Sequence, residues 1–264
     1  MEERILYLDC LSGISGDMTI GALLDLGLDQ DAFLSELKKV KVEGYTLQIE
    51  KNQKNGITGV DFDVIMEKPG HGHHDHGHHD HEHHGHGHHG HEHHHRNLKD
   101  IEKLIDDSDL EESVKNMSKE MFRHVAKAEG KIHDKPLDQV HFHEVGAIDS
   151  IVDIIGVAIL IHQLNPDKII SSPLHIGTGF VKCAHGKIPV PAPATLEILK
   201  GMPVYSTGIR SELVTPTGAA IVKVLADEFR ETPLMEIESI GYGLGTKDLE
   251  ITNVLRMMVG KKKV

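Results

Sequence analysis

Apolar and polar residues alternate at two spacings along this chain, and one long stretch follows neither. RILYLDC is a short apolar run of strand length, LSGISGD is a small-residue turn, and MTIGALLDLG has helical spacing with Gly27 as its stop. DQDAFLSELKKV reads as a second, amphipathic helix with Asp29 near its cap. In YTLQIEKNQKNGITGVDFDVIMEK the period drops to two, and Asn55-Gly56 predicts a hairpin between two strands. Helical spacing returns in NLKDIEKLIDDS and LEESVKNMSKEMFRHVAKAEGKIH. It recurs in SIVDIIGVAILIHQL, an almost wholly apolar helix. Residues 168–193 are rich in glycine and proline and predict short strands and functional loops. PLMEIESIGYGLGTKDLEITNVLRMMVG supplies closing strands, with ITNVLRMMV expected near an unfinished edge.

The class this predicts is α+β, with mixed sheets, packed helices and a disordered histidine-rich insertion. Three divisions follow: an N-terminal α/β segment over 1–68, the tract over 69–96, and an α+β domain over 97–264. The start MEERILYLDC lacks the apolar stretch and cleavage site of a secretion signal. No run approaches the roughly 18 apolar residues of a bilayer span, so a cytoplasmic protein without a membrane partner is expected. Cys10 and Cys183 do not make a disulfide framework. A net charge of −13 argues against a nucleic-acid partner. That figure takes histidine as neutral, whereas about a quarter of exposed imidazoles are protonated at pH 7, and bound divalent cations would offset more of the acidity.

Sixteen of the 23 histidines lie between His71 and His95. Imidazole takes zinc, copper, nickel and cobalt in rough Irving–Williams order, so the tract binds whichever is available. A catalytic metal instead needs fixed ligands and an open position, which a segment without periodicity cannot supply. Metal buffering or delivery is the expected role, and a linker without function is the competing one.

The chemistry is expected in QVHFHEVGAIDSIVDIIG. If the backbone is extended there, His141 and His143 share one face while Phe142 points into the core. Glu144 follows at once. Asp149 and Asp153 are four apart in the first turns of a helix, on one face opposite Ile151, Ile154, Ile155 and Ala158. Two imidazoles and three carboxylates thus suit a divalent metal: His141, His143, Glu144, Asp149 and Asp153 are the candidate ligands. Glu144, Asp149 and Asp153 are also the candidate catalytic bases. Asp149 equally fits a first-turn acid favoured by the helix dipole, and His141 a surface residue. Cys183 and His185, two apart in VKCAHGK beside the His175 and Gly177 pair, could hold a soft or borderline metal in transit, although a buried structural cysteine competes. Ser12, Gly13, Ser15, Gly16 and Asp17 form an amide-rich turn before a helix, suited to a phosphate, with an ordinary capped turn as the alternative. TPTGAA is a similar helix start. Glycine-lysine pairs at Gly130, Gly186 and Gly260 lack P-loop spacing, which excludes the GTPase nickel chaperones.

LDCLSGISGDM, the histidine tract, HFHEVGAIDSIVDI, SPLHIGTGFVKCAHGKIPVPAPATLEIL and GIRSELVTPTGAA together resemble the LarC family of nickel insertion proteins, in order and over nearly the whole chain. The resemblance implies a nickel insertase, or nickel chelatase, of the lyase class. Its reaction places nickel into pyridinium-3,5-bisthiocarboxylic acid mononucleotide, forming nickel–sulfur bonds and a nickel–carbon bond. The product is the nickel-pincer cofactor of lactate racemase, which enters as a candidate partner. CTP with manganese or magnesium is implied as co-reactant. The site residues above come from their own chemistry and are not carried over from the family. Family members continue into a further domain associated with nucleotide binding, whereas this chain stops at VGKKKV. The expectation is an N-terminal portion that depends on its C-terminal portion to bind CTP and to act. The three lysines imply an adenine-rich message suited to ribosomal slippage, hence two products of one gene region; a shortened expressed fragment is the alternative. A non-catalytic nickel or zinc store or metallochaperone is the competing function, and a metal-dependent phosphohydrolase a third.

Overall fold

A computed structural model describes residues 2–67, 96–140, 142, 148–183 and 186–263, without the side chains of Cys183 and Lys263. The tract from 71 to 95, His141, His143, Glu144 and His185 lie outside the described residues, as does the expected disorder of the tract.

The first strand, β1 (Glu2–Asp9), leads through a turn into α1 (Gly16–Asp25) and α2 (Gln30–Leu37). The Asp29 carboxylate accepts from the Asp31 and Ala32 amides and caps α2, as expected. Gly27, at φ +96°, ends α1. β2 (Tyr45–Lys54) and β3 (Ile57–Met66) form the expected hairpin. Asn55 and Gly56 both take positive φ, 49° and 80°, as a two-residue turn of the primed type requires. α3 (Leu98–Asp106) begins with a capping box between Asn97 and Asp100 and precedes α4 (Glu112–Ile132) and α5 (Ile148–Leu164). Phe142 is buried, as its expected inward direction requires, near Phe122 with ring centroids 6.3 Å apart. β4 (Lys168–Ser171), β5 (Leu174–His175), β6 (Phe180–Cys183) and β7 (Gly186–Pro189) are the short strands of the glycine- and proline-rich region. α6 (Pro193–Ile198), β8 (Val204–Tyr205), α7 (Pro216–Leu225), β9 (Glu228–Phe229), β10 (Glu236–Leu244) and β11 (Val254–Lys263) complete the chain.

The main sheet has seven strands in the order β2-β3-β10-β11-β1-β4-β9. β1 pairs parallel with β4 and antiparallel with β11, and β10 joins β3 through the single pair Gly243–Val60. Strands from both ends of the sequence therefore share one sheet, and the α+β class holds. β1 is buried on both faces: Leu6 and Leu8 enter the main core, while Ile5 and Tyr7 pack with Ile170 and Met258 in a smaller cluster. α5 is apolar nearly all round because it lies in the middle of the helical layer, packed against α1, α2, α4 and α7. α1 lies close on the sheet because Gly243 has no Cβ; one there would come 1.8 Å from the Met18 carbonyl oxygen. No helix among the described residues is long and apolar enough to cross a membrane.

The expected unfinished edge at ITNVLRMMV is corrected. β11 is an interior strand, paired along its length with β1 and β10, and Leu255, Met257, Met258 and Val259 are all buried. An apolar run without strict alternation belongs to a strand covered on both faces.

Candidate functional site: an acidic cleft at three helix N-termini

The turn before α1 is held from both sides. Gly13, at φ +87°, lies so close to the 209–215 segment that a Cβ would fall 1.9 Å from the Leu213 carbonyl oxygen. The Ile14 amide donates to that same oxygen at 2.9 Å, and the Thr215 amide donates to the Ile14 carbonyl at 3.2 Å. Thr215 caps α7, its hydroxyl accepting from the Gly218 amide at 3.1 Å, with Pro216 in the first turn. α1 and α7 therefore start side by side. The first turns of α5 close the group, because Gly16 leaves room for Asp153: a Cβ on Gly16 would lie 2.5 Å from the Asp153 Cβ and Oδ2.

Between these helix starts, β3 and the loop after β10 lies a cleft of about 370 Å³. Five carboxylates line it, Asp17 from α1, Asp63 from β3, Asp149 and Asp153 from α5, and Glu212, together with the hydroxyl side chains of Ser15 and Thr217. Burial, reinforced by the negative field of Asp17, Asp149 and Asp63, holds the Asp153 carboxyl well above the usual carboxylate range; the Asp17 amide donates to it and offsets part of this. Burial also raises Asp17, against hydrogen bonds from the Ser15 hydroxyl and the Met18 amide. Asp63 and Asp149 are exposed. A cluster of this kind attracts a cation strongly, and its most deeply placed acid is the best proton acceptor. Among the described residues no three histidine, cysteine or acidic side chains are already close enough together to hold a metal ion. A bound cation would have to draw the carboxylates in.

Residues 6–264 match a family model described as nickel insertion protein. The chain belongs to that family. It is 51% identical to the pyridinium-3,5-bisthiocarboxylic acid mononucleotide nickel insertion protein of Clostridium kluyveri, over 98% of this chain and 63% of that protein. It is 47% identical to the protein of the same description from Acetivibrio thermocellus, over 98% of this chain and 61% of that one. For the Geobacillus kaustophilus protein of that description the identity is 49%, over 98% of this chain and 60% of the relative. The chain thus spans about three fifths of the length of these relatives. No solved structure matches it significantly.

In this member of the nickel insertion family, Asp149 and Asp153 face one cleft, where Asp17 joins them. Of the amide-rich turn, Ser15 and Asp17 line the cleft, whereas Ser12 and Gly13 do not. The Ser12 hydroxyl donates to the Thr252 carbonyl at 2.7 Å. Cys10 is fully buried, and burial pushes its thiol up to about 12, so it is a core residue rather than a thiolate ligand. His175 is buried and stacks on Tyr205. The Thr207 amide donates to its Nε2 at 3.2 Å, so the proton sits on Nδ1 and is donated to the Leu11 carbonyl at 2.7 Å. With both ring nitrogens engaged, it ties the turn before α1 to the segment after β8. Asp63 and Glu212 were not expected at the site.

Proposed function

We propose that this chain inserts nickel into pyridinium-3,5-bisthiocarboxylic acid mononucleotide, by cyclometallation, and thereby makes the nickel-pincer cofactor of lactate racemase. The observation that carries this reading is the cleft lined by five carboxylates in a chain matched by the nickel insertion family over nearly its whole length. Nickel enters as substrate. Carboxylate oxygens hold it as hard, exchangeable ligands, and the thiocarboxylate sulfurs of the organic substrate are softer, so transfer runs from protein to substrate. The pyridinium ring carries a positive charge that the acidic cleft favours. Forming the nickel–carbon bond requires the C4 proton to leave: the carbon–hydrogen electron pair becomes the bond to nickel, and ionised Asp153 accepts the proton. No change of oxidation state is needed. A raised carboxylate is the stronger base, which suits Asp153 to the step, with Asp149 and Glu144 as further acids of the proposed site. His141, His143, Cys183, His185 and the tract from His71 to His95 are proposed to collect nickel and pass it inward.

The reaction is proposed to consume CTP with manganese or magnesium, bound mainly by a C-terminal portion like that of the longer relatives. That portion and lactate racemase are the proposed partners, the cytoplasm is the proposed location, and the enzyme is placed in the lyase class. The test combines this chain with the C-terminal portion of a relative, nickel, CTP, manganese and the pyridinium substrate. Product is followed by mass spectrometry and by activation of lactate racemase. The expected result is product only with both portions present, lost on Asp149→Ala or Asp153→Ala with the fold retained. Nickel binding without any product would instead make the chain a metal store, and hydrolysis of the substrate's phosphate would make it a phosphohydrolase.

A further inference from the structure

The cleft continues into a side lobe of about 100 Å³, bordered by Ser15, Thr215, Gly245, Thr246, Lys247 and Asn253. The lobe shares Ser15, Asp17, Glu212, Thr215 and Thr246 with the main cleft. Its volume is about three times the roughly 30 Å³ that a water molecule takes in the liquid. Lys247 is the one lysine or arginine lining either space among the described residues.

The loop that presents Lys247 is held by hydrogen bonds to buried Asn253 and by Lys54. Asn253, 6% exposed, donates from Nδ2 to the Lys247 carbonyl at 3.0 Å, and its own carbonyl accepts from the Gly245 amide at 2.9 Å. Lys54 donates to the Thr246 carbonyl at 3.1 Å and pairs with Asp248 at 2.9 Å. The Lys247 ammonium reaches across to the Glu212 carbonyl at 3.3 Å, which occupies one of its three N–H donors.

We infer that this lobe binds the phosphate of the substrate, with Lys247 as its counter-charge. The inference rests on the proposed function and fixes the orientation of that same substrate. A phosphate monoester carries close to two negative charges at neutral pH. In the main cleft it would face five carboxylates, of which only Asp17 and Glu212 also border the lobe, and the start of α1 is already committed, since the Asp17 amide donates to Asp153. The lobe offers the single cation, the Thr215 hydroxyl and the start of α7. The pyridinium end then lies among the carboxylates, with C4 toward Asp153, and the phosphate lies beside the one ammonium.

The test measures calorimetric binding of pyridinium-3,5-bisthiocarboxylic acid mononucleotide and of its phosphatase-treated nucleoside to the full chain without nickel. The mononucleotide should bind about tenfold tighter than the nucleoside in the unaltered chain, by one charge-assisted contact. Lys247→Gln should abolish that difference while leaving nucleoside affinity unchanged, and Lys247→Arg should keep it. Equal affinities in the unaltered chain, or a preference that survives Lys247→Gln, would overturn the phosphate site and leave the functional reading standing. Binding of neither compound would overturn both.

Discussion

Gly16→Ala probes the contact on which the cleft depends. Gly16 opens α1, and the added Cβ would fall 2.5 Å from the Asp153 Cβ and Oδ2 and 2.6 Å from its Cγ. Ordinary contact begins near 3.4 Å, so the two helices are about 0.9 Å too close to admit a methyl group. Rotating the Asp153 side chain moves the carboxylate but not its Cβ, and relief requires α1 or α5 to shift. Overpacking of this kind costs about 1–3 kcal/mol, against which alanine regains up to about 1 kcal/mol of helix propensity. The net loss of about 1–2 kcal/mol lowers Tm by about 2–8 °C in a chain of this size. A displacement near 1 Å at a reacting group costs about a hundredfold in rate, which the nickel insertion assay reads. The decisive comparison is a double-mutant cycle with Asp153→Gly, which removes the clashing Cβ. In that background Gly16→Ala should cost no stability. An equal loss of Tm in both backgrounds, or none in either, would show that the contact between Gly16 and Asp153 does not set the position of α1.

Asp153→Asn should raise the Tm of the metal-free chain at neutral pH. A carboxyl whose folded pKa is raised contributes stability that is present in acid and lost as pH rises from the ordinary carboxylate range through the raised value. The advantage of Asp153→Asn should therefore grow with pH from about 4 upward, and parallel Tm curves would contradict it. Cys10, with its thiol pushed up to about 12, should escape iodoacetamide at pH 8 in the folded chain and react once unfolded, as read by peptide mass spectrometry; rapid labelling of the native protein would refute its burial. Deleting residues 71–95 should leave insertion intact at saturating nickel and depress it when nickel is scarce, and complete inactivity of a folded deletion at high nickel would rule out a reservoir role.

The parts of the fold legible in the sequence were those set by neighbours in sequence. The Asn55-Gly56 turn, the Asp29 cap and the Gly27 stop each follow from one or two residues whose backbone or side chain admits few alternatives. Asp149 and Asp153 were legible as a pair because helical spacing alone puts them on one face. Asp63 was not, since an acid alternating with Val60, Phe62 and Val64 reads as the wet side of a strand. Only the crossing of β3 beside α1 and α5 brings it to the cleft. Ser12 does not line the cleft for a similar reason: its hydroxyl donates to the Thr252 carbonyl, 240 residues away in sequence. The interior position of β11 did have a signal, because LRMMV is apolar at consecutive positions except Arg256. That arginine lies opposite buried Asp9 and pairs with it, so the one charge in the run is accounted for within the sheet.

The placement of these acids at helix starts has an electrostatic consequence. Asp17 and Asp149 stand in the first turns of α1 and α5, and at Asp17 burial outweighs whatever the helix start contributes. Asp153, behind them, is raised first by its burial and further by the negative field of Asp17, Asp149 and Asp63. In the proposed function, a divalent cation entering the cleft would offset that repulsion and favour ionised Asp153, with a proton released as it binds. In the proposed reaction, withdrawal of nickel by the substrate's sulfurs restores the repulsion, so Asp153 becomes most basic at the moment the C4 proton must leave. Metal departure and proton uptake are then coupled through one carboxylate, and the cleft returns to its protonated, metal-free state without a separate step.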